Sequence, residues 1–282
     1  MPLAAPPSTA RAAPPPGSAR ATEQGALLHF AALTQSAELQ AAMLALLLVP
    51  RTDAAWHAWQ IEAGALAATT RFDEYAAQLS GATRLPCFEQ LLARMAQQPL
   101  ADRRRLLHAT RRLMRARGVV RPIDRLHWLA MRLRLGEPAV VGPDPLPGAD
   151  LSAWPDHEVQ AIADCSAYLG RLVPAEGGEP TSRSGWVEAV MAPWRERGIA
   201  ASRPEPDAET LAHALQELQT MAWMKRPVVV RRWVAAALAR SPRRELSDIA
   251  ADALRLTCTL LDCPLPPDLA RHYSAATEDP KR

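Results

Sequence analysis

His157-Glu158-Val159-Gln160-Ala161 is the nearest approach in this chain to a zinc-protease helix. A catalytic HExxH motif needs its second histidine one turn on, so that two imidazoles share the metal while the glutamate activates water. Ala161 stands at that position, and the run reads instead as an exposed first helical turn. The seven histidines are isolated from one another. Only His57, between Trp56 and Trp59, has an unusual setting. Trp56, His57 and Trp59 form a candidate pocket, although a helical face carrying two tryptophans is more often a core or a helix interface. The densest charge runs from Arg103 to Arg125 and holds nine arginines. On a helix, Arg104, Arg111 and Arg115 fall on one side, while Leu106, Leu107, Leu113 and Met114 spread across another. With Arg121 they make a candidate interaction surface for a protein or an acidic surface. Nucleic acid would require a docking motif as well, and the helix after the turn offers Asp124, His127 and Trp128 rather than a polar reading face. A Gly-flanked serine elbow, a Gly-rich phosphate loop and a CxxC pair are all missing from the sequence. Spacing leaves open an enzyme whose site is assembled from residues remote in sequence.

These residues need elements to position them, and composition says which kind. The 282 residues include 55 Ala but only 13 Val, 5 Ile, 3 Phe and 3 Tyr, so strong helix formers far outnumber the residues that favour strands. The expected fold is all-α, a set of helical bundle units. A net charge of +3 does not by itself call for nucleic acid. Four cysteines without a close-spaced pair other than Cys258 and Cys263 suggest neither a disulfide framework nor a metal knuckle, and they suit a reducing compartment. Residues 1–22 hold six Pro and seven Ala and are expected to be a disordered tail. Prolines interrupt every candidate signal-peptide core there. The most apolar run, Ala41 to Val49, spans nine residues where a membrane crossing needs about 20.

Helical periodicity predicts an N-terminal domain over 23–136, with a helix opening at Asp53, short helices at Phe72–Leu79 and Phe88–Gln97, a basic helix with Asp102 as its N-cap, and a partner helix from Pro122. Gly118 is placed to end the basic helix. Residues 137–155, rich in Pro and Gly, read as a linker or long loop. A C-terminal helical domain is expected over 156–267, with helices near Asp156, from Ser184 to about Gly198, and over Asp207–Met224, Pro227–Arg240 and Ser247–Leu261. A flexible tail over 268–282 follows. Each half contains a helix, a proline, a basic helix, a tight turn and a further helix closed by proline, an order that suggests duplication.

Three stretches carry a resemblance: Leu44 to Ala55 (LALLLVPRTDAA), Arg84 to Leu92 (RLPCFEQLL) and Leu261 to Pro267 (LDCPLPP). Their order is similar to the helical region that follows the peptidase domain in HtpX-like zinc metallopeptidases of proteobacteria, a region resembling paired TerB-like units. The resemblance covers about Leu27 to Pro267 and implies a duplicated TerB-like arrangement without the peptidase domain, its zinc or its hydrolysis. In TerB-like units the helix turn often reads Asp-Gly, with an acid seven residues after the Asp. Arg117, Gly118 and Asp124 occupy those positions here, and Arg243, Arg244 and Ala250 occupy them in the second unit. On that pattern neither turn is expected to hold a divalent ion. The sequence therefore leads to a non-enzymatic interaction protein, without cofactor or transmembrane segment, that is cytoplasmic or membrane-associated only through a partner. The partner is expected to be a protein or an acidic surface, with nucleic acid as the alternative.

Overall fold

A computed structural model describes residues 16–48, 51–118, 121–136, 151–173, 180–197, 199, 206–241 and 244–274. Among them are fourteen α-helices and no strand. In the first half these are α1 (Pro16–Ala32), α2 (Ser36–Leu47), α3 (Asp53–Ala63), α4 (Ala65–Thr69), α5 (Phe72–Gln78), α6 (Gly81–Met95), α7 (Leu100–Ala116) and α8 (Pro122–Leu135). The second half contributes α9 (Asp156–Leu169), α10 (Pro180–Met191), α11 (Ala208–Thr220), α12 (Arg226–Arg240), α13 (Asp248–Leu260) and α14 (Pro267–Ser274). No described helix is long and apolar enough to cross a membrane.

The apolar run starting at Ala41 becomes the middle of the first half because α2 is covered on every side. Leu39 through Leu47 are all buried, and α3, α5, α6 and α7 pack around them. A helix apolar all round has nowhere else to go in water. Its carbonyls are not wholly self-satisfied: Trp59 on α3 donates its indole N–H to the Ala41 carbonyl at 3.0 Å. In the second half α9 plays the central part, packed against α10 and α11. There Trp233 on α12 donates to the Ser166 hydroxyl at 2.8 Å, and that hydroxyl donates to the Ile162 carbonyl at 2.6 Å.

The two halves share one apolar core. Helix α13 packs on α6 and α8 of the first half and on α12 and α14 of its own. Polar bonds cross the same seam: Tyr168 donates to the Pro122 carbonyl at 2.9 Å, and Arg255 pairs with Glu89 at 2.8 Å.

Several expected boundaries move. Helix α1 begins at Pro16, inside the segment read as tail, because proline is favoured in a first helical turn and Ala- and Arg-rich sequence follows it. Residues 1–15 lie outside the described residues, as do 137–150 of the expected linker and 275–282 of the expected C-terminal tail. The rest of that linker is not open loop: Leu151–Ala153 form a 3-10 turn and Trp154 is buried beside Trp194. Helix α14 occupies the start of the expected tail, burying Leu269 and Tyr273 one turn apart. Helix α6 starts at Gly81, with Pro86 inside it, rather than at Phe88. Pro99, not Asp102, precedes the first residue of α7.

Candidate functional site

Helix α7 turns Leu106, Ala109, Thr110, Leu113 and Met114 into the core, which leaves its arginines outside. Arg104, His108, Arg111 and Arg115 are all exposed on one side of it. Their spacing of four, three and four residues keeps them in line on an α-helix. The guanidinium of Arg111 lies 4.7 Å over the Trp128 ring of α8, and neither Arg111 nor Arg115 has a carboxylate in ion-pair range among the described residues. Their neighbours are compensated: Arg112 is bound by both oxygens of Glu62, and Arg105 pairs with Asp102 at 3.0 Å.

Arg121 does not join this face. Its Nε and Nη2 donate to Asp124 at 3.0 and 2.7 Å, and its backbone N–H donates to the same carboxylate at 3.1 Å. Arg117 donates to Asp124 from the other side at 3.0 Å, with side chains 6% and 2% exposed, and also reaches the Leu47 carbonyl that closes α2. Burial works against the charged carboxylate, yet the hydrogen bonds from Arg121 and the charges of Arg117 and Arg121 overcome it and hold Asp124 below the usual carboxylate range. The two residues aligned to a TerB-like cation turn thus neutralise each other. Gly118 has φ +80°, the left-handed conformation expected of it, and Arg244 at the aligned position in the second half has φ +54°. In both hairpins the next helix opens four residues later, at Pro122 and at Asp248. Arg243 lies outside the described residues, and Ala250 is buried in α13.

Trp56, His57 and Trp59, the expected pocket, do not all share one face of α3. Trp59 is fully buried, and Trp56 stacks on it with ring centres 4.9 Å apart under the guanidinium of Arg51, 3.7 Å from its ring. His57, one residue on, faces solvent because a helix turns about 100° per residue. His157, on α9, is likewise exposed, while Glu158 beside it is buried and pairs with Lys225 at 2.7 Å. No group of three or more His, Cys, Asp or Glu among the described residues is placed to hold a metal. Burial pushes the thiols of Cys87 and Cys258 up to about 12 and that of Cys263 up to about 11, so none of the three offers a thiolate near neutrality.

A cavity of about 590 Å³ opens instead at the seam between the halves. Its apolar walls come from α2, α6 and the start of α8, including Leu46, Leu85, Phe88 and Ile123. Its polar floor is the first turns of α13, with Asp248 and Asp252 one turn apart, facing Arg84 of α6. Tyr273 of α14 donates to one oxygen of Asp252 at 2.9 Å. Burial, reinforced by the Asp248 charge, pushes the Asp252 carboxyl up to about 7, while Tyr273, Arg84 and Arg255 oppose the rise. His127 also lines the cavity. Burial pushes its imidazole down to about 4, which keeps it neutral, and its Nδ1 bonds the Ile123 carbonyl at 2.9 Å. This site draws on residues from 46 to 252. The one local signal in the sequence is the spacing of four between Asp248 and Asp252 on an apolar helix.

Comparison of the chain with protein-family models, curated proteins and solved structures found no match.

Proposed function

We propose that this chain is a non-catalytic, cytoplasmic helical protein that seats an acidic protein surface against the outer face of α7. The observation that carries this reading is the exposed line of Arg104, His108, Arg111 and Arg115, of which Arg111 and Arg115 have no carboxylate in ion-pair range among the described residues. Charges arranged this way steer an oppositely charged partner and fix its register. Glu62 and Asp102 flank the line and are paired to arginine at its margins. Carboxylates there favour a narrow acidic helix or strand over the broad phosphate track of a nucleic acid.

Kinship with the TerB-like region of HtpX-like peptidases is part of the same proposal. It is supported by the left-handed residue at Gly118 and Arg244, each followed four residues later by a helix. A role near membrane or protein quality control rests on that kinship alone. The test is binding of a poly-glutamate peptide to the full chain, measured by fluorescence anisotropy at two salt concentrations. The Arg111→Glu, Arg115→Glu double variant is expected to bind about tenfold or more weakly, since each reversal replaces attraction by repulsion. Equal binding by the variant, or stronger binding of duplex DNA by the parent, refutes the reading.

A further inference from the structure

We propose that the cavity at the seam between the halves binds a small organic cation with an apolar body, its ammonium group held by Asp248 and Asp252. The two carboxylates share one face of α13, a turn apart, at the floor of a space of about 590 Å³. That volume lies in the range of small-molecule sites.

Hydrogen-bond supply decides the chemistry. An ionised carboxylate accepts at about four lone-pair sites. Asp252 receives one hydrogen bond, from Tyr273, and its second oxygen has no partner yet is not sealed from solvent. Asp248 has a side chain 60% exposed; one face of its carboxylate packs against Gly81 of α6, and His272 Nε2 lies 3.2 Å away, out of hydrogen-bond alignment. The protein itself thus supplies the two carboxylates with a single hydrogen bond, and an ammonium has three donors and no acceptor.

The arginines of the lining, Arg84 with its buried and unpartnered Nε among them, offset the acidic charge only in part. Arg121 is committed to Asp124. Arg171 is exposed, with its guanidinium 5.6 Å from the centre of the Tyr168 ring. Arg84 donates to the Leu79 carbonyl at 2.6 Å and forms no ion pair with either aspartate. It weakens the mutual repulsion of the two carboxylates from a distance, without supplying the missing bonds. Leu46, Leu85, Phe88 and Ile123 leave an apolar wall above the floor, suited to a hydrocarbon or aromatic body.

The groups that face Asp252 are Tyr273 from α14, Arg84 from α6, and Asp248 and Arg255 from its own helix; His272 stands beyond, against Asp248, and Glu89 against Arg255. With the Asp252 carboxyl at about 7, a proton competes with the ligand on the acid side of neutrality. An alkylammonium remains charged throughout that range.

The experiment is an NMR titration of the full chain with 2-phenylethylammonium, its neutral isostere 2-phenylethanol and the anion 3-phenylpropionate. At pH 8 the ammonium is expected to saturate one site about tenfold or more tightly than the alcohol. Below pH 6 its affinity is expected to fall by about tenfold per pH unit. Asp252→Asn keeps an acceptor for Tyr273, so the variant retains its α14 contact; it should remove the preference for the amine and the pH dependence while leaving alcohol binding unchanged. Asp248→Asn should weaken the amine alone. Equal affinity for amine and alcohol, no saturable binding of the amine, tightest binding of the anion, or an Asp252→Asn variant that binds as the parent does would each overturn the proposal. Because α7 is untouched by these substitutions, poly-glutamate binding by the same variants separates this result from that of the proposed function.

Discussion

Replacing Gly118 by alanine tests the hairpin geometry in isolation. The residue follows α7 with φ +80°, and no atom lies within 4 Å of the point where a Cβ would stand. Alanine therefore meets no neighbour, and the whole cost is that of holding an L-residue in the left-handed region, about 1–2 kcal/mol. Valine, which is β-branched, should cost about 1–3 kcal/mol. Gly25 supplies the control, since it too has open space around its missing Cβ but sits within α1 at an ordinary φ. Gly25→Ala should stabilise the protein by about 0.5–1 kcal/mol through the reduced freedom of the unfolded chain. The same added methyl group then has opposite signs at two uncrowded sites, and backbone dihedral is the one difference that explains it. Urea unfolding with far-UV circular dichroism reads both, with midpoints compared at equal slope. A Gly118→Ala protein as stable as the parent would refute the reasoning, because the chain would then have to reverse after α7 with an ordinary right-handed residue.

Asp124→Ala leaves Arg117 buried without its counter-charge and should cost about 3–5 kcal/mol, measured by the same unfolding assay. Since the Asp124 carboxyl is held below its ordinary value of 3.8, its contribution is complete above that value and is lost as pH falls through the lower folded one; an Asp124→Asn variant should lack this acid limb in a series of thermal melts. Asp252 has the opposite sign. Its carboxyl rises from 3.8 to about 7 on folding, so the folded state binds more protons in that window and stability declines as pH climbs through it. Asp252→Asn should flatten the decline and raise the melting temperature at pH 8, and an unchanged pH slope would show that the aspartate is solvated in the folded protein.

Local signals in the sequence located the elements with such signals at their ends. Pro122 opens α8, Ser247 caps α13 by accepting from the Ala250 N–H at 3.3 Å, and Gly118 takes the left-handed turn. Periodicity also gave the buried stripe of α7. It could not say that Arg121 turns back onto Asp124, since a charged residue three positions from a carboxylate reads the same whether the pair is solvated or buried. Trp59 misleads for a related reason: the carbonyl that takes its indole N–H belongs to Ala41 of α2, and nothing near Trp59 in sequence announces it. Helix α6 begins seven residues before the expected Phe88 and carries Pro86 in its second turn, where the lost amide hydrogen bond is tolerated in a well-packed helix. The cavity was beyond local reasoning altogether. Arg84 and Asp252 meet only because α13 of one half lies against α6 of the other.

That placement of α13 limits how the cavity can admit anything. Eight residues of the helix are buried, and they face helices of both halves. The floor of the cavity is therefore the same rod that fastens the halves together, so a hinge that swung them apart would have to strip α13 from α8 or from α12. Entry is through the side already open to solvent, where exposed Ile249 and Arg171 stand, with the backbone frame at rest. A guest held there would change the melting temperature of the whole chain at once, because nothing that touches α13 can steady one half without steadying the other.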